Sequence, residues 1–312
     1  MSRILYILGI ILIFFSIIEI FPFISDLISG SDNWVVFLFS SIFTLFVGVS
    51  LVLAGSNKAE KLTPRDAFSL TALVWLVIPF MGAIPFLFSI DSIGLVDSTF
   101  ESISGLTTTG LTIFDDLDNV QPGILLWRSL LQWIGGIGII VMSIAIFPLL
   151  RLGGMHFMTI EPLRGNDKAL PRTFELAIAI GIIYFLLTIA CLLSYIIFGM
   201  NFFDAVNYAM TTISTGGFSV HNKPFEYYDS LYIKFTAIFF MIIGVLPFTL
   251  YVKAIRKNIL DIFSNSQVRF FLSFCFLVVL VLTFWFWLTT SQSFVQAFIF
   301  SSFNAISIIT TT

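Results

Sequence analysis

The chain has 312 residues, of which 58% are hydrophobic and only 11% charged, and its mean hydropathy is +1.03. That composition excludes an ordinary soluble domain and indicates an integral membrane protein. The formal net charge of −3, without a basic tail, argues against a nucleic-acid partner. Cys191 and Cys275 both fall within apolar runs, so we expect neither a disulfide nor a metal site.

Seven apolar segments are long enough for the roughly twenty helical residues that cross a bilayer. They run near 4–25, 34–55, 67–90, 123–150, 172–199, 231–255 and 268–290. The first has no small-x-small cleavage site, so we interpret it as a retained anchor rather than a signal peptide.

Three polar segments interrupt this pattern, at 97–112, 204–218 and 303–312. They are too short and too polar to cross a membrane. Non-helical backbone at membrane depth is tolerated only inside protein or beside water. We therefore predict that each segment enters the bilayer as a short helix, turns at a Thr/Gly loop and returns.

The distribution of Lys and Arg predicts a cytoplasmic N-terminus, because basic residues favour the cytoplasmic side of short loops. With that orientation, twelve of the fifteen basic residues lie inside and eleven of the eighteen acids lie outside. All three polar segments then open to the outside, beneath a negative surface that concentrates cations.

The segments repeat at a fixed spacing, the strongest architectural signal a single sequence can carry. Gly217 follows Gly110 by 107 residues, and Asp204 follows Asp97 by the same interval. Each Asp is placed where an N-cap of the short helix would lie. A third copy aligns Phe303, Ser307 and Thr310–Thr312 with Phe100, Ser104 and Thr107–Thr109.

Short helices whose C-termini lead into Thr/Gly loops offer partial negative charge and carbonyl oxygens to a dehydrating cation. The loops at 107–110 and 214–217 contain no carboxylate, which a divalent cation would normally require. The alternative is that Gly and Thr only mediate close helix packing. The matching copies favour a monovalent-cation site over packing alone.

The sequence resembles the Trk/Ktr/HKT superfamily of potassium transporters, and within it the bacterial TrkH-type membrane subunit. Four stretches carry the resemblance: FESISGLTTTGLT at 100–112, WRSLLQWIGGIGIIV at 127–141, PLLRLGGM at 148–155, and GMNFFDAV with TISTGGFS within 199–219. The resemblance implies an all-α integral membrane protein with repeated span–pore loop–span units around a pseudo-fourfold pore. It divides the chain into two extra N-terminal spans (1–60), a first repeat (61–165), a second repeat (166–262) and a partial third repeat (263–312).

The resemblance also implies a selectivity filter whose backbone carbonyls coordinate K⁺, at positions Thr108, Thr109, Gly110, Thr215, Gly216, Gly217, Thr311 and Thr312. Glycine at position 110 goes with potassium rather than sodium selectivity in this superfamily. K⁺ is then cargo, and no resident cofactor is implied. The family further suggests a homodimer in the bacterial inner membrane, filter loops facing the periplasm, and a cytosolic nucleotide-binding regulatory subunit of the TrkA type.

The family pattern continues with a glycine directly after Thr312, a second span for the third repeat and a complete fourth repeat. Two and a half repeats do not close a fourfold ring. We therefore expect this sequence to be part of a longer protein, with completion by another chain as the alternative.

Four ionisable residues near the predicted spans remain open. Arg128 and Lys234 follow the filter glycines and are expected to snorkel or pair with an acid rather than tune the pore. Glu101 either supports the filter or is exposed in the outer vestibule. Glu19, within the first span, is expected to reach the headgroup region.

The leading functional hypothesis is K⁺ uptake, with a Na⁺- or H⁺-coupled secondary transporter as the alternative. A coupled transporter usually carries acids or His at mid-membrane, and spans three to seven have none. The absence of HExxH and GxSxG motifs argues against an enzyme.

Overall fold

The computed structural model of the chain describes residues 2–55, 63–90, 93–146, 169–223, 225, 227–228, 230–256, 258 and 261–312. Across these residues the regular structure is entirely helical, as the sequence predicts. In chain order the helices are α1 (Ser2–Ile18), α2 (Ile20–Ser29), α3 (Trp34–Ala54), α4 (Pro64–Ser89), α5 (Leu95–Leu106), α6 (Pro122–Ile146), α7 (Ala169–Ile197), α8 (Phe202–Ile213), α9 (Leu231–Val245), α10 (Phe248–Arg256), α11 (Asp261–Ser264), α12 (Ser266–Thr289) and α13 (Phe294–Thr310).

Six helical segments of the described chain are long and apolar enough to cross a membrane: Ser2–Ser29, Trp34–Ala54, Arg65–Ser89, Pro122–Ile140, Phe174–Ile197 and Ser266–Thr289. The prediction of a continuous span over 231–255 is wrong, because α9 and α10 meet at 88°. Pro247 explains the break, since proline lacks the amide hydrogen that a helix interior needs and its ring clashes with the preceding turn. Leu246 accordingly has the extended backbone that precedes proline.

The described residues form two compact units. The first contains those of Met1–Ile103, Gln121–Trp127 and Gly138–Ile178. Here α1 packs on α3 at Gly9 and Gly48, where a Cβ on Gly9 would lie 2.6 Å from the Gly48 carbonyl oxygen. Small residues allow this close backbone approach between membrane helices.

Two acids in this unit are buried rather than exposed to the headgroup region. Glu19 is fully buried, and its Oε1 accepts a hydrogen bond of 2.9 Å from the Ser40 hydroxyl. The expectation that Glu19 reaches the membrane surface is therefore wrong. Asp26 Oδ1 accepts a 2.6 Å hydrogen bond from the backbone N–H of Gly123, in the first turn of α6. Asp26 thus satisfies one of the four amides that a helix N-terminus leaves without an intrahelical partner.

The second unit contains Ser104–Val120, Arg128–Ile137 and the described residues of Ala179–Thr312, including all eight predicted filter positions. Tyr184 of α7 donates through its hydroxyl to the Trp133 carbonyl (2.9 Å), and Trp133 Nε1 donates to Thr188 Oγ1 (3.0 Å). The Phe225 ring packs between Tyr208 of α8 and Phe303 of α13, with ring centroids 4.9 and 5.0 Å away. The Phe225 contacts join α8 and α13, the helices that lead into the second and third predicted filter segments.

Candidate functional site

Three helices, α5, α8 and α13, end directly at the Thr/Gly segments singled out by the sequence. We call these the first loop (107–112), the second loop (214–218) and the third loop (311–312). The predicted N-cap role of the two aspartates is wrong, because Asp97 and Asp204 lie inside the first turns of α5 and α8. Asn201 caps α8 instead, accepting a hydrogen bond from the Asp204 backbone N–H. In the first turn, each carboxylate still lies at the positive end of its helix dipole.

All three loops contain the same unusual backbone conformation at or next to their first residue. Thr108, Thr215 and Thr311 have φ of 54°, 55° and 59°, and no other described residue except glycine has a positive φ. A β-branched residue rarely adopts this left-handed region, which costs roughly 1–2 kcal/mol per residue. Strain of this kind is concentrated at functional sites.

The hydrogen bonds around these threonines also repeat. Each left-handed Thr donates its N–H three residues back, from Thr108 to Gly105 (2.9 Å), from Thr215 to Thr212 (3.1 Å) and from Thr311 to Ile308 (3.2 Å). The next residue donates five residues back, from Thr109 to Ser104, from Gly216 to Thr211 and from Thr312 to Ser307, each at 2.9 Å. This is the Schellman motif that commonly ends a helix, normally built on glycine. It turns the loop amides back onto the helix, so these donors do not face the space beyond the loops.

The loops touch one another in sequence order. A Cβ on Gly110 would collide with the Gly216 carbonyl oxygen, and one on Gly217 would lie 2.5 Å from the Thr312 carbonyl carbon. Gly110 and Gly217 also have positive φ, at 79° and 71°. The second loop therefore lies between the first and third, and no side chain fits at either contact. The structure brings together residues of all three predicted filter segments.

Gln132 of α6 is a site residue that the sequence analysis missed. Its side chain is fully buried, Nε2 donates to the Gly216 carbonyl (2.8 Å) and Oε1 accepts from the Phe218 N–H (3.1 Å). The sequence signal for it is a polar amide within a largely apolar span, a feature that often stabilises contacts between membrane helices. A carbonyl oxygen has two lone pairs, so the Gly216 oxygen keeps one beyond its bond to Gln132.

Arg128 connects the segments that follow the first and second filter glycines. It is 1% exposed, and its two terminal nitrogens donate to the Ser219 carbonyl (2.8 Å) and to Thr112 Oγ1 (2.9 Å). Its guanidinium lies 4.2 Å from the centroid of the Phe218 ring, close enough for a cation–π interaction. The expectation that Arg128 snorkels to the interface is wrong, because its side chain is buried in contact with backbone, hydroxyl and aromatic groups. Its pairing with an acid stays a prediction.

Outside the loops, His221 links the two ends of a polar cluster. Its Nδ1 lies 2.9 Å from Asp118 Oδ1 and its Nε2 lies 2.8 Å from Asp204 Oδ2, while its ring stacks on Tyr227 at 3.8 Å. The Tyr228 hydroxyl also bonds to Asp204. Burial raises the pKa of Tyr228, and its bond to the Asp204 carboxylate adds to that shift.

The acidic run at 115–118 predicts a solvated face rather than a metal site. Its three aspartates are exposed, and Asp116 also accepts hydrogen bonds from two asparagines. Asn222 and Asn119 donate side-chain hydrogen bonds to it, and these bonds lower the pKa of its carboxyl. Among the described residues there is no group of three His, Cys, Asp or Glu side chains arranged to hold a metal ion. His156 lies outside the described residues.

The remaining candidates are resolved by burial and packing. Glu101 is fully buried in α5, so simple exposure is wrong for it. The run of Gly135, Gly136 and Gly138 within α6 predicts close helix packing. This is confirmed for Gly135 and Gly136: a Cβ on the first would overlap the Leu106 carbonyl, and one on the second would lie 2.9 Å from the Tyr184 hydroxyl. For Gly138 it is wrong, because no described residue lies within 4 Å of a Cβ there. Lys234 is half-buried at the start of α9.

Comparison with known proteins places this geometry in a family. Residues 34–309 match the family model described as TrkH, cation transport protein. The Trk system potassium uptake protein TrkH of Halomonas elongata is 34% identical over 100% of this chain and 65% of its own length. The protein of the same name from Escherichia coli K12 is 35% identical over 93% of this chain and 63% of its own.

A solved structure agrees with both the sequence match and the fold. The crystal structure of the potassium transporter TrkH from Vibrio parahaemolyticus superposes with a TM-score of 0.87 at 33% identity, covering 98% of this chain and 63% of that one. The chain therefore spans just under two thirds of the length of these relatives.

Proposed function

Because the chain belongs to the TrkH family of cation transport proteins, we propose that it forms part of the ion-conducting membrane subunit of a potassium-uptake system. Its relatives carry the name of potassium uptake proteins, and the solved neighbour that of a potassium transporter. K⁺ is the proposed cargo, and no chemical reaction is part of the function.

The observation that carries this proposal is the set of three loops with one backbone conformation, in contact with one another. Their amides are bonded back to the helices, so main-chain carbonyls are the polar groups left to replace water around a cation. The coordinating positions proposed are Thr108, Thr109, Gly110, Thr215, Gly216, Gly217, Thr311 and Thr312. Uncharged oxygens suit a monovalent ion that must leave again quickly.

The repeat boundaries at 61–165, 166–262 and 263–312, after two spans in 1–60, belong to the same proposal. So do the location in a bacterial inner membrane, the cytoplasmic N-terminus and the periplasm-facing loops. A homodimer and a cytosolic TrkA-type regulatory subunit are the proposed assembly.

The proposal is tested by rubidium uptake in bacteria that lack their own potassium-uptake systems, with the chain expressed from its complete gene. Wild type restores uptake, and Gly110→Asp abolishes it because the side chain collides with the Gly216 carbonyl and adds a fixed charge. Gly138→Ala is the matched control, since none of the residues that the structure describes lies within 4 Å of a Cβ there. Uptake that survives Gly110→Asp would overturn the proposal.

Rubidium flux through the purified protein in liposomes distinguishes passive conduction from coupling to a second ion. Passive conduction gives rubidium flux that follows the electrochemical gradient alone. A flux that requires a Na⁺ or H⁺ gradient would favour the coupled transporter instead.

A further inference from the structure

The second loop differs from the other two at one position. The residue after the left-handed Thr is Thr109 in the first loop and Thr312 in the third loop. The hydroxyl of each pairs with the hydroxyl two residues earlier, Thr107 at 2.7 Å and Thr310 at 2.9 Å. These hydroxyl pairs are side-chain contacts within a single loop, and we call such a contact a brace. The second loop has Gly216 at this position and therefore lacks such a brace of its own.

Gln132 occupies the space that a side chain at position 216 would need. A Cβ on Gly216 would lie 2.5 Å from Gln132 Oε1 and 2.7 Å from Nε2, distances that no real pair of atoms of this kind tolerates. The glycine and the glutamine are therefore complementary. Gly216 has no side chain at the point where Gln132 places its amide group.

The inserted amide uses both of its functions on the second loop. Its nitrogen donates to the Gly216 carbonyl and its oxygen accepts from the Phe218 N–H. Since Gln132 is fully buried, an unpaired donor or acceptor here would carry the full cost of desolvation. Neither leucine, which lacks polar atoms, nor glutamate, which lacks the donor, reproduces this pair of bonds.

We propose that Gln132 is a positioning residue for ion selectivity. It acts as a side-chain brace supplied to the second loop by α6, in place of the threonine hydroxyl that braces the first and third loops. This inference rests on the proposed function, because it assigns Gln132 a role in the discrimination between cations.

The test measures rubidium and sodium uptake by the protein expressed from its complete gene, in wild type, Gln132→Ala, Gln132→Glu, Gly216→Thr and the Gln132→Ala/Gly216→Thr double variant. Gln132→Glu, which loses the donor to the Gly216 carbonyl, lowers the rubidium-over-sodium ratio roughly tenfold, a change expected for the loss of about one buried hydrogen bond, and Gln132→Ala, which loses both bonds, lowers it at least as much. Gly216→Thr alone is more damaging, because the new side chain collides with Gln132. The double variant recovers the ratio to within about threefold of wild type, since the new hydroxyl can pair with Ser214 as Thr109 pairs with Thr107.

Gln267→Ala is the matched control, because it makes the same change at an exposed position at the start of α12 and leaves the ratio unchanged. The thermal unfolding temperature of each purified variant separates folding from selectivity. If Gln132→Ala does not fold, the rubidium-over-sodium ratio is measured on the isosteric variant Gln132→Glu instead.

The inference is overturned if Gln132→Glu keeps the wild-type ratio, or if the double variant is no better than Gly216→Thr. These results differ from a failure of the proposed function, in which wild type itself takes up no rubidium.

Discussion

Gly217 and Thr312 meet backbone to backbone: a Cβ on Gly217 would lie 2.5 Å from the Thr312 carbonyl carbon. This contact joins the second loop to the third, as the contact of Gly110 with the Gly216 oxygen joins the first to the second. The loops are therefore positioned by direct main-chain contact. We expect small changes at these glycines to alter the geometry of the proposed ion site.

Gly217→Ala tests this contact. The added methyl group meets Thr312, and φ of 71° is strained for any residue with a Cβ. We expect rubidium uptake to fall about fivefold to thirtyfold, corresponding to the roughly 1–2 kcal/mol of left-handed strain. Gly138→Ala, where a Cβ meets no atom of the described part of the chain within 4 Å, should retain uptake. Wild-type uptake by Gly217→Ala would show that the contact does not control conduction.

Thr215→Gly tests the strain in the second loop. Glycine relieves about 1–2 kcal/mol of left-handed strain and costs about 0.5–1 kcal/mol of chain entropy, so the thermal unfolding temperature should stay the same or rise. Selectivity for rubidium over sodium should fall, because the loop becomes less rigid. A clear drop in unfolding temperature would mean that the threonine side chain contributes more than its backbone costs.

Arg128→Lys tests whether the fork of the guanidinium is needed. A single ammonium cannot donate in the same geometry to the Ser219 carbonyl and Thr112 Oγ1 while stacking on Phe218. We expect the variant to lose about 1.5–3 kcal/mol of stability, as for a hydrogen bond to a charged group, with a lower unfolding temperature and less uptake. Lys234→Ala, which changes a half-buried base at the start of α9, is the control and should have a small effect. Full function of Arg128→Lys would reduce the role of Arg128 to its charge.

Asp26→Ala tests the link from α2 to the start of α6. Loss of the bond to the Gly123 amide should destabilise the protein by about 0.5–2 kcal/mol, the usual range for an N-terminal helix cap. Thermal unfolding of the purified protein measures this. Asp32→Ala removes an exposed carboxylate nearby in sequence and should leave the unfolding temperature within error. Equal effects of the two changes would contradict a capping role for Asp26.

The sequence was most informative where the chain repeats itself. A fixed spacing aligns Thr108 with Thr215, and the matching pattern of Phe, Ser and Thr aligns Thr311 with them; these are the residues that share the left-handed conformation. Periodicity also located the long helices, because each needs an apolar stretch of about twenty residues to cross a membrane.

Features that depend on partners distant in sequence were missed. Gln132 and Gly216 are separated by 84 residues, and nothing near either one indicates the other. Glu19 was expected at the surface because its burial depends on Ser40, in a different helix. The bend at Pro247 was a local signal that the apolar run around it outweighed.

In our proposal, main-chain oxygens of these loops bind the travelling ion. The most direct measurement is anomalous scattering from crystals of the protein, expressed from its complete gene and grown in rubidium. We expect a rubidium peak that is bordered by backbone carbonyls of all three loops, including those of Thr109, Gly217 and Thr312. A peak held by carboxylates elsewhere, or no peak beside these loops, would contradict it.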